Sequence, residues 1–323
     1  MKLLTREKCG NIRTVKLLGL KVFNYRKSSP MDKHRIIFEK LDKYRYILDI
    51  EPSENKQPAG NTDYIWQLWF QGEDNAPEII KIALESVKKH CSGLNRVCLT
   101  ENNLKDYIQL PDYIEDKYKR GIITKAHLSD YIRLCLLEKY GGTWIDATCY
   151  MTEQIPNEIL ESDFFQFKNS AYCEMSNLQF LYNRELLERF YPNKFFYHTG
   201  SSWFLHANPN NILISKTKQM LEEYWKNETK LIAYFLFHYV LAYCVLYHKE
   251  SAEVFNNSLT LNNFNPHVLQ KMFYEKYDEK DFNDIKNNSF IHKLSWKDLK
   301  IVNENNYLNH ILNSDRKEIN AQN

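Results

Sequence analysis

The chain lacks an excess of either charge: 43 Lys and Arg meet 41 Asp and Glu over 323 residues, a formal +2. A nucleic-acid binder has to neutralise phosphates with basic residues that outnumber acids over a whole face, so the total gives that class no support. Glycine and proline are scarce, nine of each, which excludes collagen-like chains and Pro/Gly-rich disordered ones. The seven cysteines are odd in number and contain no Cys-x-x-Cys pair of the kind that serves zinc or redox chemistry. They read as reduced thiols of a cytoplasmic protein. Met1 to Leu20 has no uninterrupted apolar stretch, so no secretory signal is legible there. The longest apolar run, Leu231 to Tyr247, contains His238 and falls short of the roughly 20 residues a spanning helix needs. It reads as a buried helix, with a membrane span as the rival.

What is present is a core. With 43% hydrophobic and 14% aromatic residues, the chain can bury enough apolar surface to fold as one large α/β domain or two small ones. The neutral total also hides an asymmetry. Residues 1–50 hold thirteen Lys and Arg against five acids, a local +8, so the rest carries −6. This basic segment, interleaved with Leu17, Leu18, Leu20, Val22, Phe23 and Tyr25, has two readings: a solvated face, or a contact with an anionic membrane surface at about 1 kcal/mol per basic side chain.

Glu51 to Asn61 gathers Pro, Gly, Ser and Asn and reads as a linker. The expected organisation is a basic, helical N-terminal extension (1–55), a main α/β domain (56–300) and a C-terminal tail (301–323). Within the main domain, Tyr64 to Phe70 predicts a buried strand and Gln71 to Asp74 a loop. A helix capped by Asn75, with Pro77 in its first turn, should carry Ile79, Ile80, Ala83, Leu84 and Val87 inward and stop at Gly93. Arg96 to Thr100 then predicts a second strand. Strand, helix and strand make a βαβ unit, hence a parallel α/β sheet. Ligands of such sheets bind beyond the carboxyl ends of the strands, here at Trp69, Phe70, Gln71 and Gly72. By position alone Trp66 and Trp69 serve equally well as core aromatics.

The most informative segment is Lys125 to Thr152. Its first half predicts a helix with Leu128, Ile132, Cys135, Leu136 and Lys139 on one stripe, closed by Gly141-Gly142. Thr143 to Met151 predicts a strand. Asp130 and Arg133 share a helical face, and Asp146 follows across the glycine turn, so carboxylate, guanidinium and carboxylate can converge. An i,i+3 Asp/Arg pair alone is more often a surface ion pair.

Ser129-Asp130-Tyr131-Ile132-Arg133, then Gly141-Gly142, then Trp144-Ile145-Asp146 resemble the pattern of the capsular polysaccharide synthesis glycosyltransferases, related to DXD-containing sugar transferases and glucosylating toxin domains. Trp66 to Pro77, Ser202-Trp203-Phe204, Tyr234-Phe235 and Ile291-His292-Lys293-Leu294 add weaker matches over roughly residues 60–300. The resemblance implies a GT-A fold, a Rossmann-like mixed and mostly parallel sheet flanked by helices. It implies a nucleotide-sugar donor, a UDP-sugar, and a saccharide or lipid-linked saccharide acceptor. Transfer would retain the anomeric configuration, at the cytoplasmic face of a bacterial membrane.

Carried over by position, Trp69 corresponds to the aromatic that stacks on the base, with Gln71 beside it. Asp130 and Arg133 correspond to the pair that binds donor sugar hydroxyls, Ser129 to the small residue before them, and Asp146 to the first Asp of DXD. The triplet here is Asp146-Ala147-Thr148, so the second carboxylate is missing. A hard cation, Mn²⁺ or Mg²⁺, wants oxygen ligands; the resemblance leaves Asp146 to hold it with diphosphate, water and His292. Lys293, Ser295 and Trp296 correspond to a late loop over the diphosphate. His198, Ser201, Ser202 and Trp203 form a polar-aromatic cluster suited to an acceptor sugar, or an ordinary loop with a core Trp. The rival for the whole is an inactive GT-A protein that binds sugars or nucleotides.

Overall fold

The computed structural model describes residues 4–9, 12–17, 20–26, 30–50, 63–168, 200–297, 299 and 305–313. The expected linker and the acceptor candidate His198 lie outside the described residues. The first elements correct the expected helical extension. Strands β1 (Leu4–Cys9), β2 (Ile12–Leu17) and β3 (Leu20–Arg26) form an antiparallel meander. Their sequences alternate Lys and Arg with Ile, Val, Phe, Thr and Tyr, residues that suit a pleated surface.

Helix α1 (Pro30–Leu41) and a 3₁₀ turn over Asp42–Asp49 follow, and their buried side chains, among them Phe38, Leu41, Tyr44 and Leu48, join the largest apolar cluster. A boundary near residue 55 therefore cuts one core. Its second half is built into the main domain.

The main sheet begins with β4 (Tyr64–Leu68), then α2 (Glu78–His90) and β5 (Asn95–Leu99). Helix α2 buries the expected Ile79, Ile80, Ala83, Leu84 and Val87, but Pro77, rather than Asn75, occupies its N-cap position. Asn75 ends a short turn instead, its Nδ2 donating to the Gln71 carbonyl at 2.8 Å. Two short helices, α3 (Leu104–Tyr107) and α4 (Asp112–Lys119), lead to α5 (Lys125–Tyr140). The predicted strand from Thr143 to Met151 is split into β6 (Gly142–Ile145) and β7 (Cys149–Met151). Between them the Cys149 amide closes a turn onto the Asp146 carbonyl at 2.9 Å.

The glycine pair fixes where β6 begins. Gly141 and Gly142 have φ of +70° and +94°, a region that favours residues without Cβ. A Cβ on Gly142 would stand 2.4 Å from the Tyr64 carbonyl oxygen, so only glycine lets β6 reach β4 directly after α5.

After α6 (Asn157–Leu160), β8 (Phe164–Lys168) and β9 (Gly200–Ala207) complete a five-stranded sheet in the order β5-β4-β6-β9-β8. Strand β4 is parallel to β5 and β6, while β9 is antiparallel to β6 and β8. Four strands run one way and β9 opposes them, which is the expected mixed, mostly parallel sheet. Alternation sends Trp66 and Trp144 into the core on one face and Ile65 and Ile145 into that on the other.

Helices α7 (Ile212–Asn227), α8 (Leu236–Tyr247) and α9 (Lys249–Asn257) pack on the Trp66 side. Helix α8 is apolar all round, as a buried helix is. Among the described residues no helix is long and apolar enough to cross a membrane. Finally α10 (Val268–Met272) and α11 (Glu279–Asn288) lead to β10 (Ile291–Lys293), which pairs antiparallel with β7. A helix over 307–313 buries Tyr307, Leu308 and Ile311, so part of the expected tail belongs to the core.

Candidate active site

The site is built where α5, the end of β6 and β10 meet. Helix α5 starts at Thr124, whose side chain accepts from the His127 amide. One turn on, Asp130 and Arg133 pair across i,i+3. Arg133 Nη2 then reaches Asp146 Oδ1 at 3.0 Å, and Trp144 Nε1 donates to the same oxygen at 2.8 Å. The Asp146 amide donates to the Trp203 carbonyl at 2.8 Å, which fixes the carboxylate at the end of β6. Because β10 pairs Lys293 with Cys149, Lys293 Nζ lies 2.7 Å from Asp146 Oδ2 and also bonds Thr148 Oγ1. The expected convergence of Asp130, Arg133 and Asp146 is present, with Lys293 as a fourth member.

The cluster is electrically balanced: two carboxylates, one guanidinium, one ammonium. Arg133 is 3% exposed, with its guanidinium 4.8 Å from the Trp144 ring centre and 5.6 Å from that of Phe237. Burial acts to raise the Asp146 pKa, but Lys293 and Arg133 outweigh it and hold the carboxyl at about 2. Burial leaves Asp130 above the ordinary carboxylate value although Arg133 opposes it. Arg133 Nε and Trp69 Nε1 are buried with no hydrogen-bond partner among the described residues. Such groups are costly unless something binds them.

Trp69 stands just past β4, half-buried, its ring edge-on to Trp296 at 5.9 Å between centres. Trp296 is 40% exposed, and the Ser295 amide donates to Gln270 Oε1 at 2.6 Å. The expected aromatic and the expected late loop therefore meet at the carboxyl edge of the sheet. Gln71 is exposed and Ser129 is half-buried beside Asp130.

Two residues fall elsewhere. His292 neighbours Lys293 on β10, so alternation turns it to the opposite face; it is fully buried with Nε2 3.2 Å from Thr152 Oγ1. Burial lowers its pKa to about 4. The Trp203 ring is also interior, stacked on Phe167 at 5.0 Å, so it offers no sugar face; Ser202 beside it is half-buried.

The donor set does not fit a divalent cation. Asp146 is the single carboxylate at the triplet and both its oxygens are engaged by cations or an N–H donor. His292 faces away. Among the described residues no group of three or more His, Cys, Asp or Glu could hold a metal ion. The expectation that Asp146 and His292 share a metal is corrected by the register of β10.

Sequence reasoning missed Trp144 and Thr148 as members of the cluster. Trp144 stands two residues before Asp146 on β6, the spacing that puts strand side chains on one face. It also passed over Tyr234 and Phe235 as site residues. They are 65% and 42% exposed ahead of α8, and the Tyr234 carbonyl lies 2.9 Å from His127 Nε2, one turn from Asp130.

Beyond its carboxyl edge the α/β sheet thus gathers two half-buried acids, a buried guanidinium and a half-buried ammonium beside Trp69 and Trp296, where open α/β sheets bind their ligands. The chain belongs to the capsular polysaccharide synthesis protein family, whose model matches residues 19–311. Over 111 residues it is 23% identical to the O-glycosyltransferase braB of Annulohypoxylon truncatum, a stretch covering 32% of this chain and 26% of that protein. The chain thus matches about a quarter of that relative's length. A solved structure titled PaToxG Glycosyltransferase is similar over 81% of this chain and 99% of its own, at 12% identity and a TM-score of 0.35, a likeness too loose to bear on the argument.

Proposed function

We propose that the chain moves a sugar from a nucleotide donor, a UDP-sugar, to a saccharide acceptor that is lipid-linked, in the synthesis of a bacterial capsular or cell-surface polysaccharide. The observation that carries this reading is the Asp130, Arg133, Asp146 and Lys293 cluster at the carboxyl edge of the sheet, within a chain of that family. Trp69 stacks on the base, and its unpartnered Nε1 gives the nucleotide a donor. Asp130 accepts from donor hydroxyls, and Arg133 donates to sugar or phosphate oxygens. Lys293, Ser295 and Trp296 cover the diphosphate, where negative charge develops as the anomeric bond breaks. The acceptor attacks the face from which the diphosphate leaves, and configuration is retained. Tyr234 and Phe235 offer the acceptor the aromatic face that Trp203 does not.

The basic surplus has a place in this reading. Residues 1–27 hold eight basic residues and one acid, a charge that attracts an anionic membrane where a lipid-linked acceptor lies. Thermal-shift and turnover measurements with UDP-, GDP-, dTDP- and CMP-sugars test the proposal. Transfer or hydrolysis of one donor supports it. Donor binding without turnover would leave a nucleotide-sugar-binding protein, and no binding at all would end the reading.

A further inference from the structure

Three observations meet at the triplet Asp146-Ala147-Thr148. The position that would carry a second carboxylate holds Thr148, a neutral hydroxyl. Lys293 Nζ bonds both that hydroxyl and Asp146 Oδ2, the latter at 2.7 Å. The other Asp146 oxygen is held by Arg133 and Trp144. A cation therefore already sits between the first and third residues of the triplet, and it is covalently part of the chain. Two carboxylates facing one ammonium would leave net negative charge there and call for a divalent ion; one carboxylate and one hydroxyl do not.

We propose that the Lys293 ammonium is the resident cation of this site and that the chain binds a nucleoside diphosphate and works on its donor without a divalent metal. The inference rests on the proposed sugar transfer and deepens it. An ammonium has three N–H donors; Asp146 and Thr148 take two and leave one for a diphosphate oxygen. The Lys293 side chain is 20% exposed, so it lies at the edge of the site and not in the core. In the transfer step the bond from the anomeric carbon to the phosphate oxygen breaks, and the diphosphate leaves with the electron pair. The acceptor oxygen bonds to that carbon, and its proton passes to the leaving diphosphate. Lys293 takes up charge without gaining or losing a proton. Asp146 is its positioning residue.

The full chain, freed of metal by a chelator, provides the test. UDP should bind to it, Lys293→Ala should weaken that binding tenfold or more, and Lys293→Arg should keep most of it. Donor turnover should survive chelation and fall about 10²–10³-fold in Lys293→Ala, with no recovery on adding Mn²⁺. Electron paramagnetic resonance should detect no Mn²⁺ bound to the wild type. The double variant Lys293→Ala/Thr148→Asp, which restores a second carboxylate, should gain Mn²⁺ binding. Loss of wild-type turnover on chelation with recovery by Mn²⁺ would overturn the inference and leave sugar transfer standing. Should no donor turn over, sugar transfer fails and the UDP arm decides: equal affinity of wild type and Lys293→Ala overturns the role of Lys293, and the tenfold loss supports it.

Discussion

The molecule buries cations in two ways. At three places a lysine is sunk into the fold to meet backbone carbonyls. Lys117 Nζ reaches the Glu228 carbonyl at 2.9 Å beyond the end of α7, Lys168 reaches those of Phe255 and Ser258 at 3.0 and 2.9 Å around the end of α9, and Lys216 reaches that of Ile47 at 3.3 Å. Helix ends leave carbonyls without partners and carry partial negative charge, so an ammonium there satisfies both needs. At the candidate site, by contrast, Arg133 and Lys293 meet carboxylates, and the guanidinium keeps a buried N–H unassigned. Burial alone therefore does not mark function here. What distinguishes the two regions is the partner: backbone carbonyls at the three lysines, carboxylates at the candidate site.

The largest effect should come from breaking the second region. Asp146→Asn removes the charge that orients Lys293 and Arg133 while keeping the shape, and turnover should fall about 10³-fold with the circular dichroism spectrum unchanged. Turnover near the wild-type rate would place Asp146 among the structural ion pairs and erase the distinction. Lys117→Met should do the reverse, lowering stability by about 1–3 kcal/mol through the carbonyls left unpaired, with kcat/KM unaltered. Chemical denaturation and steady-state kinetics on the same preparation read both halves.

The tryptophans repeat the contrast on a smaller scale. Trp66 Nε1 donates to the Gly141 carbonyl at 2.9 Å inside the core; Trp69 Nε1, like that of the core Trp225, has no hydrogen-bond partner among the described residues, but Trp69 is half-buried at the carboxyl edge of the sheet. Trp69→Ala should weaken nucleotide binding by about 1–3 kcal/mol, the worth of one base on an aromatic face. Calorimetry showing unchanged affinity would return Trp69 to the core.

How far these regions could be read in advance depended on sequence separation. Asp130, Arg133 and Asp146 lie on one helix, one glycine turn and one strand, so helical spacing, the Gly141-Gly142 pair and the family pattern sufficed. The βαβ unit was legible for the same reason. Lys293 meets Asp146 across 147 positions, and its partner depends on the register of β10 against β7. A shift by one would exchange Lys293 for His292; the resemblance suggested both for the site, and the register admits Lys293 and turns His292 behind it. Of the two readings of Trp203 the core one holds, and sequence could not choose between them because its burial is set by Phe167 on a neighbouring strand. The N-terminal strands failed differently: Gly10-Asn11 and Gly19 punctuate an alternation of basic and apolar residues, a hairpin signal that the segment's basic charge outweighed in the expectation of a helical extension.

Acid titration separates the two kinds of burial most finely. Asp146 has its pKa lowered to about 2 in the folded chain, against about 3.9 for an unperturbed Asp. A lowered carboxyl pKa means that the unfolded chain binds the proton more readily, so the stabilisation is full above pH 4 and is lost as pH falls through 4 toward 2. It is on the order of 2 kcal/mol. The stability difference between wild type and Asp146→Asn should therefore shrink between pH 5 and about pH 2. Lys117 bonds carbonyls, which do not titrate, and only the weaker pull of Asp116 and Glu228 varies in that range. Its difference from Lys117→Met should stay nearly level. Parallel denaturation series at several pH values would show one gap closing and the other persisting; two gaps closing together would mean that the ammonium of Lys117 depends on its acidic neighbours rather than on the helix end.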